Sequence, residues 1–582
     1  MPRFQTLFAA GMASLSLASC ASQDSVETLS PTATSNPPQE IVVTSSRVDN
    51  ASTPTRRQRT GAVRGAAMKA EVADQAYAPP PPPAMVAPAP VMAGEMRPWP
   101  PYYQDVGRDK FTNKEENGFK VVREEPVSTF SIDVDTASYS FVRASLNQNV
   151  LPQPAAVRPE EMINYFPYDY AAPKSAAQPF TTNVAVFPSP WTAGRKLVRV
   201  GIRGYEIQRQ TRPRANLVFL IDTSGSMHAP NKLPLVQQSL SLLVGQLGPQ
   251  DHVAIVTYAG SAGTALPPTP ASQKQKILNV INGLGAGGST AGAEGIRQAY
   301  ALAAQNLDPE GVNRVMLATD GDFNVGITSN EELKGFVERE RGKGVFLSVL
   351  GFGMGNYNDA LMQTLAQNGN GAAAYIDTIS EARKTLVEEA SSTLFPIAKD
   401  MKIQVEFNPA TVAEYRLIGY ETRMLNREDF DNDKVDAGDV GSGQTVTALY
   451  EIVPVGGPRA ISDLRYKSVA QPAPQSGTAG EYGFVKIRYK APKSDRSNLI
   501  STPIDRLSEV ARFENAPQDA RFAAGVAAFA ELLRGGRYGG SFSYDDVLRI
   551  ATAARGRDDY GYRSEFIQMV RAAKTAASLA AL

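Results

Sequence analysis

Short apolar runs alternate with amphipathic stretches through the middle of the chain. The apolar runs cover residues 217–221, 253–258, 315–318 and 345–350, and the amphipathic stretches cover residues 233–247, 273–281, 291–307 and 330–341. Continuous apolarity is typical of parallel strands that are covered on both faces, and apolar positions at helical spacing indicate the covering helices. The pattern predicts a doubly wound, mostly parallel α/β sheet with right-handed crossovers.

Strand patterns occur on both sides of this α/β unit. They cover residues 127–134, 182–187 and 196–202 before it, and residues 402–407, 414–418, 445–453 and 483–489 after it. We therefore predict that the α/β domain is inserted into a β-sandwich whose strands come from both flanks. Residues 427–443 are acidic and contain glycine, so we expect an exposed loop there. Helical patterns at 518–534, 543–554 and 563–580 predict a C-terminal helical region.

The first twenty residues have the pattern of an export signal. Met1 and Arg3 precede an apolar run at residues 7–17, which is too short to span a bilayer as a stable helix. The Leu17-Ala18-Ser19-Cys20 ending resembles the lipobox of bacterial lipoproteins. That resemblance implies cleavage before Cys20 and acylation of this residue, and several acyl chains suffice for stable membrane anchoring. An ordinary secretory signal or a buried N-terminal helix is the alternative.

Residues 21–101 are rich in Ser, Thr, Pro and Ala and include the proline run from Pro79 to Pro83. Such a composition buries too little apolar surface to offset the entropy of ordering, and its prolines favour extended polyproline II. We expect a disordered spacer over residues 21–125. The whole chain then divides into a signal peptide at 1–20, this spacer, an N-terminal flanking region at 126–212, the α/β domain at 213–396, a β-sandwich region at 397–500 and the helical region at 501–582.

The charge balance and the scarcity of His and Cys argue against two classes of function. Lys plus Arg and Asp plus Glu number 59 each, whereas a nucleic-acid binder needs a basic face. We therefore expect no nucleic-acid partner. The chain contains 2 His and 1 Cys, which makes a zinc site a poor interpretation.

Three polar segments fall on loops of the predicted α/β sheet. Asp222-Thr223-Ser224-Gly225-Ser226 ends the first strand, Gly287-Gly288-Ser289-Thr290 opens a helix, and Thr319-Asp320-Gly321 closes another strand. Such sheets bind ligands at the carboxyl ends of their strands. The loops offer two carboxylates and three hydroxyls, which are the oxygen ligands that a hard divalent cation such as Mg²⁺ prefers. The alternative is that Asp222 and Asp320 only cap helices and that Thr290 is an N-cap.

The pattern Asp-x-Ser-x-Ser, a distant Thr and a distant Thr-Asp-Gly resembles the metal-ion-dependent adhesion site of von Willebrand factor type A (VWA) domains. The resemblance covers residues 215–394. It implies that Ser224, Ser226 and Thr290 contact the metal directly or nearly so, and that Asp222 and Asp320 hold it, often through water. The metal would be Mg²⁺ or another hard divalent cation such as Mn²⁺ or Ca²⁺. An Asp or Glu carboxylate of a protein partner would complete its coordination.

Three further segments look like signatures of a bacterial lipoprotein family that contains a VWA domain. They lie at residues 127–136, 161–166 and 320–324. With them, the resemblance extends from about residue 126 to the C-terminus. Asp133 and Asp135 within the first segment could also suggest a second metal pair, but a loop or turn role is the better interpretation.

The resemblance implies a noncatalytic module for Mg²⁺-dependent adhesion or assembly that binds an acidic side chain of another envelope or surface protein. Two alternatives stay open. The flanking regions of a structural lipoprotein could bind the partner, or the chain could be a metal-dependent hydrolase with Asp322 as the nearby candidate base.

The N-terminus also predicts a location. We expect a lipid-anchored protein in the cell envelope, with its folded body periplasmic or surface-exposed. Ala21 and Ser22 follow Cys20 and lack the aspartate that resembles an inner-membrane retention signal. This favours the outer membrane of a Gram-negative bacterium.

Overall fold

The computed structural model describes residues 110–208, 211–288, 292–321, 330–355, 357–462, 465 and 480–580. The chain before the α/β domain forms strands and helices in this order: β1 (Lys120–Val121), β2 (Val127–Ser131), α1 (Ala137–Asn147), α2 (Pro159–Asn164), β3 (Phe180–Pro188) and β4 (Lys196–Gly204). β3 and β4 pair antiparallel, with Val184 opposite Val200. The strand pair expected from the alternating pattern is confirmed.

The α/β domain follows, and its elements alternate as the sequence predicts. They are β5 (Ala215–Asp222), α3 (Leu233–Gln246), β6 (His252–Tyr258), β7 (Ala262–Pro270), α4 (Lys274–Asn282), α5 (Gly292–Gln305), β8 (Val312–Thr319), α6 (Asn330–Gly342), β9 (Val345–Phe352), α7 (Asp359–Asn368), β10 (Ala373–Ile376), α8 (Ile379–Arg383) and α9 (Ala390–Leu394).

The strands of this domain lie in the order β10-β9-β8-β5-β6-β7. Neighbours are parallel except for β7, which runs antiparallel to β6 at one edge. Alternate β5 residues enter two cores, since Phe219 packs with residues of α3 and Leu220 packs with residues of α5. The doubly wound, mostly parallel sheet is confirmed. From β5 the chain continues to β6 on one side and later returns to β8 on the other, so the switch point lies between β5 and β8.

The remainder of the chain returns to strands and then to helices. The elements are β11 (Pro396–Phe407), β12 (Val412–Ile418), β13 (Met424–Leu425), β14 (Gly438–Gly441), β15 (Thr445–Pro454), β16 (Glu481–Lys490), β17 (Ser497–Asp505), α10 (Gln518–Leu533), α11 (Tyr544–Ala554) and α12 (Tyr562–Ala580).

Two sheets of mixed origin form the β-sandwich. Their strand orders are β1-β12-β15-β4-β3 and β13-β2-β11-β16-β17. β4 pairs with β15 and β2 pairs with β11, so both sheets combine strands from before and after the α/β domain. Phe130, Val200 and Val405 belong to one buried core between the sheets. The insertion of the α/β domain into a sandwich is therefore confirmed.

The helical region covers the outer face of the first sheet. Phe187 and Leu197 on that face share a buried core with Phe522 of α10 and Phe566 of α12. Alanine fills much of α10, and its small side chains let the helix approach its neighbours closely. Within the described ranges, none of the helices combines the length and the apolar content that crossing a bilayer requires.

The structure corrects the end of the predicted spacer. Residues 110–125 belong to the folded body, because the ring of Phe111 lies 4.5 Å from that of Phe141 and β1 pairs with β12. Val122 is fully buried. These apolar side chains bury enough surface to order this end of the predicted spacer. Residues 21–109 lie outside the described residues.

The loop predicted at residues 427–443 is also partly wrong. Its end forms β14, which pairs antiparallel with β11, and both Phe430 and Val440 are buried. Asp431 and Asp433 of the segment are exposed, whereas Asp439 on β14 is half-buried. The acidic composition of the segment indicated an exposed loop, but its two apolar side chains, Phe430 and Val440, are buried and anchor it to the sandwich.

Buried ion pairs fasten the α/β domain to its surroundings. The guanidinium of Arg143 on α1 binds the carboxylates of Asp377 and Glu381 in the α/β domain and of Glu565 on α12. Arg423, which follows β12, binds both Asp133 and Asp135, and Oδ1 of Asp135 accepts a hydrogen bond from the N–H of Ala373 in the α/β domain at 2.8 Å. The Asp133–Asp135 pair thus joins an arginine in the structure.

Candidate metal centre

Asp222 is the last residue of β5, at the switch point of the α/β sheet, and it is fully buried. Its Oδ1 accepts a hydrogen bond from the backbone N–H of Ser224 at 2.9 Å. Its Oδ2 accepts hydrogen bonds from the hydroxyl of Tyr258 at 3.2 Å and from Oγ1 of Thr319 at 3.3 Å. The ends of β6 and β8 therefore hold this carboxylate in place.

Two serine hydroxyls stand beside this carboxylate. Oγ of Ser224 lies 3.0 Å from Oγ of Ser226. Ser224 is 2% exposed, whereas Ser226, at the start of a short 3₁₀ turn (Gly225–His228), is exposed. The turn brings one buried and one accessible hydroxyl to the same point at the sheet edge.

Asp320 directly follows β8 and is fully buried. Because β8 lies beside β5 in parallel register, with Ala318 opposite Ile221, Asp320 falls close to Asp222. The Nζ atom of Lys232 lies 2.8 Å from Oδ2 of Asp320. Lys232 stands immediately before α3, and sequence reasoning did not identify it.

Thr290 lies outside the described residues. The two glycines that precede it in the same loop are described, and they contact the Ser224 loop. The N–H of Gly287 donates to the carbonyl of Thr223 at 2.8 Å, and the N–H of Gly225 donates to the carbonyl of Gly288 at 3.0 Å. The structure therefore brings Asp222, Ser224, Ser226 and Asp320 together and joins the third predicted loop to them. The metal-binding role of all five residues stays a prediction.

The two buried carboxylates interact unfavourably when both are charged. Burial raises the pKa of Asp222 above its ordinary value, and the nearby charge of Asp320 raises it further. The hydrogen bonds from Ser224 oppose the shift, because they stabilise the charged form. Such a pair favours the approach of a cation.

The position of Lys232 depends on a glycine turn after β9. Gly353 has φ +75°, and a Cβ atom there would lie 2.5 Å from Cε of Lys232. Gly353, Met354 and Gly355 form a bend directly after β9, and this bend leaves room for the lysine side chain. Lys232 and Asp320 are 88 positions apart in sequence, so no local periodic signal points to this contact.

The donor set fits a hard divalent cation. Carboxylates and hydroxyls are oxygen ligands, and here they come from the ends of the adjacent strands β5 and β8 and from the turn that follows β5. Asp222 and Asp320 contribute two negative charges, and Lys232 offsets one of them. A divalent cation in such a site would keep a surplus positive charge.

Family models match three successive parts of the chain. The model described as von Willebrand factor type A domain matches residues 216–389, that described as von Willebrand factor matches residues 105–199, and that described as Uncharacterized protein YfbK, C-terminal, matches residues 392–576. The chain is also 44% identical over 474 residues to the protein of Escherichia coli strain K12 named Uncharacterized protein YfbK. This match covers 80% of this chain and 81% of the Escherichia coli protein. The chain belongs to the YfbK family. VWA domains such as the one in this YfbK-family chain typically mediate protein–protein interaction.

Other matches of the YfbK-family chain cover smaller parts or are more distant. Inter-alpha-trypsin inhibitor heavy chain H4 of Homo sapiens is 31% identical over 222 residues, which is 36% of this chain and 24% of that protein. The solved von Willebrand factor type A structure from Catenulispora acidiphila is 13% identical, with a TM-score of 0.40 over 70% of this chain and 91% of that one.

Proposed function

We propose that this chain is an envelope protein whose VWA domain binds an acidic side chain of a protein partner in a Mg²⁺-dependent way. The observation that supports the proposal is the pair of buried carboxylates, Asp222 and Asp320, beside the hydroxyls of Ser224 and Ser226. Capping alone does not require two buried acids at the ends of adjacent strands. The proposed role is noncatalytic.

The hydroxyl and the carboxylate residues of the site would have different roles. Ser224, Ser226 and Thr290 would hold the cation, and Asp222 and Asp320 would balance its charge and orient the serines. The exposure of Ser226 leaves the site open toward solvent on that side. When bound, the cation supplies a Lewis-acidic position for a carboxylate oxygen of the partner.

Lys232 adds to the preference for an acidic partner. With the lysine paired to Asp320, the residues of the site neutralise only part of a divalent charge. The remaining charge attracts a carboxylate from outside and gives no such advantage to a neutral amide. The proposal therefore predicts discrimination between Glu and Gln at the partner's contact position.

Calorimetric titration of the purified full chain with MgCl₂ tests the metal part of the proposal. We expect one saturable site that is lost in Asp222→Ala and weakened at least tenfold in Ser226→Ala. Ser241→Ala is the matched control, because Ser241 lies in α3 and its hydroxyl bonds to the carbonyl of Gln237. Equal Mg²⁺ binding in Asp222→Ala and in the wild type would contradict the proposal.

Capture of partners from envelope membranes tests the docking part. The immobilised chain is incubated in Mg²⁺ or in EDTA, and the bound proteins are identified by mass spectrometry. We expect proteins that are retained in Mg²⁺, released by EDTA and absent with Asp222→Ala. A partner that stays bound in all three conditions would instead favour binding by the flanking regions. The hydrolase alternative depends on Asp322, which lies outside the described residues.

We also propose that acylated Cys20 anchors the chain in the outer membrane and that residues 21–109 separate the folded body from it. The support is the apolar run that ends in Leu17-Ala18-Ser19-Cys20. Metabolic labelling with an alkyne fatty acid, followed by separation of the membranes by density, tests this. Label should enter the wild type and be absent from Cys20→Ser, which should leave the membrane fraction. An unlabelled wild-type chain would contradict the anchor.

A further inference from the structure

A polar cleft of about 1620 Å³ lies away from the candidate metal centre, where the α/β domain, the sandwich and the helical region meet. Its walls include Arg314 of β8, Arg199 of β4 and Asp519 of α10. Asp222, Ser224, Ser226 and Asp320 do not line it. The cleft is therefore a second place where the chain could bind a ligand.

Arg199 on the wall of this cleft is a buried cation without a counter-ion in the described part of the chain. The residue is 5% exposed, and its Nε has no hydrogen-bond partner. Its guanidinium carbon lies 4.8 Å from the centre of the Tyr170 ring. A stacked aromatic ring orients a guanidinium but accepts no in-plane hydrogen bonds from it. The donors of Arg199 thus remain available toward the cleft.

Two neighbours of Arg199 carry unused donors on the same face of the sheet. On β4, Arg199 lies two positions before Gly201 and Arg203 lies two positions after it. Asn183 of β3 pairs directly with Gly201. Because residues two apart on a strand point to the same face, these three side chains form one row. Nε of Arg203 and Nδ2 of Asn183 are likewise buried without a partner.

Tyr170 fixes the geometry of this row. A Cβ atom on Gly201 would lie 2.4 Å from the Tyr170 ring, so the glycine gives the ring its place between the two arginines. The Tyr170 hydroxyl lies 2.6 Å from Oγ1 of Thr447. The backbone carbonyl of Tyr170 accepts a hydrogen bond from the guanidinium of Arg203 at 2.8 Å. The donors are therefore held in position before any ligand arrives.

Two other arginines of the cleft, Arg563 and Arg423, differ from Arg199 because each forms an ion pair. Arg563 binds Asp519 at 2.7 Å, and Arg423 binds Asp135 at 2.8 Å. The nearest carboxylate to Arg203 is 3.9 Å away and belongs to Asp169, which is fully exposed. The row formed by Asn183, Arg199 and Arg203 thus has an excess of positive charge and of hydrogen-bond donors.

We propose that the row Asn183–Arg199–Arg203 binds an oxyanion, which is a carboxylate or a phosphate group of a polar ligand that enters the cleft. A guanidinium presents parallel N–H groups that match both groups bidentately. A buried charge without a partner is unfavourable in the free protein. A bound anion would supply the negative charge and the hydrogen-bond acceptors that Arg199 lacks. This site is independent of the proposed metal centre.

Thermal unfolding and calorimetry of the purified full chain in EDTA test the proposal. The probes are sodium phosphate in one arm and sodium acetate in the other, each compared with sodium chloride at equal ionic strength. We expect saturable stabilisation by at least one of the two anions, and the arm that responds identifies the group. In Arg199→Met the anion affinity should fall at least tenfold, while the melting temperature in chloride stays equal or rises.

Two further variants make the test decisive. Arg199→Lys keeps the positive charge but loses the parallel N–H groups of the guanidinium. It should therefore bind the anion about tenfold more weakly than the wild type does. Arg549→Met is the control, because Arg549 lies exposed on α11 and pairs with Asp546 within its own helix. If Arg199→Met does not fold, Arg203→Met carries the same expectation for affinity. Absence of saturable binding of both anions to the wild type, or anion binding that is unchanged in Arg199→Met, Arg199→Lys and Arg203→Met, would overturn the proposal.

Discussion

The ammonium of Lys232 lies 2.8 Å from Oδ2 of Asp320, and Asp320 is fully buried. The lysine is only 12% exposed along its side chain, so water screens the pair weakly. The protein therefore carries its own cation at the edge of the candidate metal centre. A divalent ion that binds there meets a net charge of minus one from Asp222, Asp320 and Lys232.

Replacement of Lys232 by Met should strengthen metal binding and weaken partner docking. Without the ammonium, both carboxylates are available to the ion, and unit charges a few ångströms apart near a protein surface interact by a few kcal/mol. We expect Mg²⁺ affinity to rise about tenfold or more, measured by calorimetry. Retention of the acidic partner should fall, since the ion would then be fully neutralised.

The control for this variant is Lys276→Met, because Lys276 is exposed on α4. It should change neither quantity. A Lys232→Met protein that binds Mg²⁺ more weakly than the wild type would show that the lysine organises the site instead of competing with the ion.

A substitution at Gly353 should reproduce part of the Lys232 effect. A Cβ atom at this position meets the lysine side chain, and the backbone has a positive φ. Gly353→Ala should cost about 1 kcal/mol of stability through the backbone, displace Lys232 and raise Mg²⁺ affinity by a smaller factor. Gly344→Ala is a matched control, since Gly344 has φ +89° and open space around it. In a double-mutant cycle the effects of Gly353→Ala and Lys232→Met on affinity should not add; simple additivity would refute the link.

Local patterns in the sequence predict part of the site, whereas contacts between distant parts of the chain leave no such pattern. The ends of β5 and β8 could be predicted because apolar runs stop at Asp222 and Asp320, and parallel strands bring such ends together. Lys232 could not be predicted, because its contact with Asp320 depends on the turn at Gly353, far away in sequence. β7 was missed since its residues alternate poorly and include three prolines, which an edge strand tolerates.

The burial of the row formed by Asn183, Arg199 and Arg203 could not be predicted from the sequence either. The alternation in β3 and β4 predicted the strands, but the outward positions of a sandwich are usually polar and solvated. Arg199 is buried because the Tyr170 ring stacks on its guanidinium and because the helical region packs over this face, with Phe522 and Phe187 in one core. The unusual environment arises from three parts of the chain that meet.

Arg143 should contribute strongly to the stability of the whole body. Its guanidinium joins Asp377, Glu381 and Glu565, and the first two carboxylates are buried with it. Arg143→Met leaves these acids without a counter-ion, and breaking a buried pair in this way costs about 3–5 kcal/mol. Urea unfolding should show this loss, and hydrogen exchange should show weaker protection of α1 and α8.

The exposed pair of Arg512 and Glu514 provides the comparison for Arg143. Arg512 is 74% exposed, so Arg512→Met should change stability by less than about 1 kcal/mol. A similarly small effect of Arg143→Met would mean that the ion pairs merely offset their own desolvation and do not hold the domains together.

Glu160 should make stability decrease as the pH rises. It is 2% exposed, and neither of its carboxylate oxygens has a hydrogen-bond partner in the described part of the chain. Burial, with the charges of Glu421 and Glu161, raises the pKa of Glu160 to about 7 from its ordinary 4.5. The folded state therefore keeps a proton that the unfolded state has already lost between these values. Over this range the free energy of unfolding should fall by about 3 kcal/mol through this group.

Glu160→Gln isolates this contribution, because the amide is neutral at every pH. The variant should match the wild type near pH 4.5 and become more stable than it, by about 3 kcal/mol, above pH 7.5. Denaturant unfolding at a series of pH values measures the difference. Glu514→Gln should run parallel to the wild type throughout, since Glu514 is 67% exposed. If Glu160→Gln also ran parallel to the wild type, the carboxyl of Glu160 would have to be ionised in the folded protein at neutral pH, with water or a cation beside it.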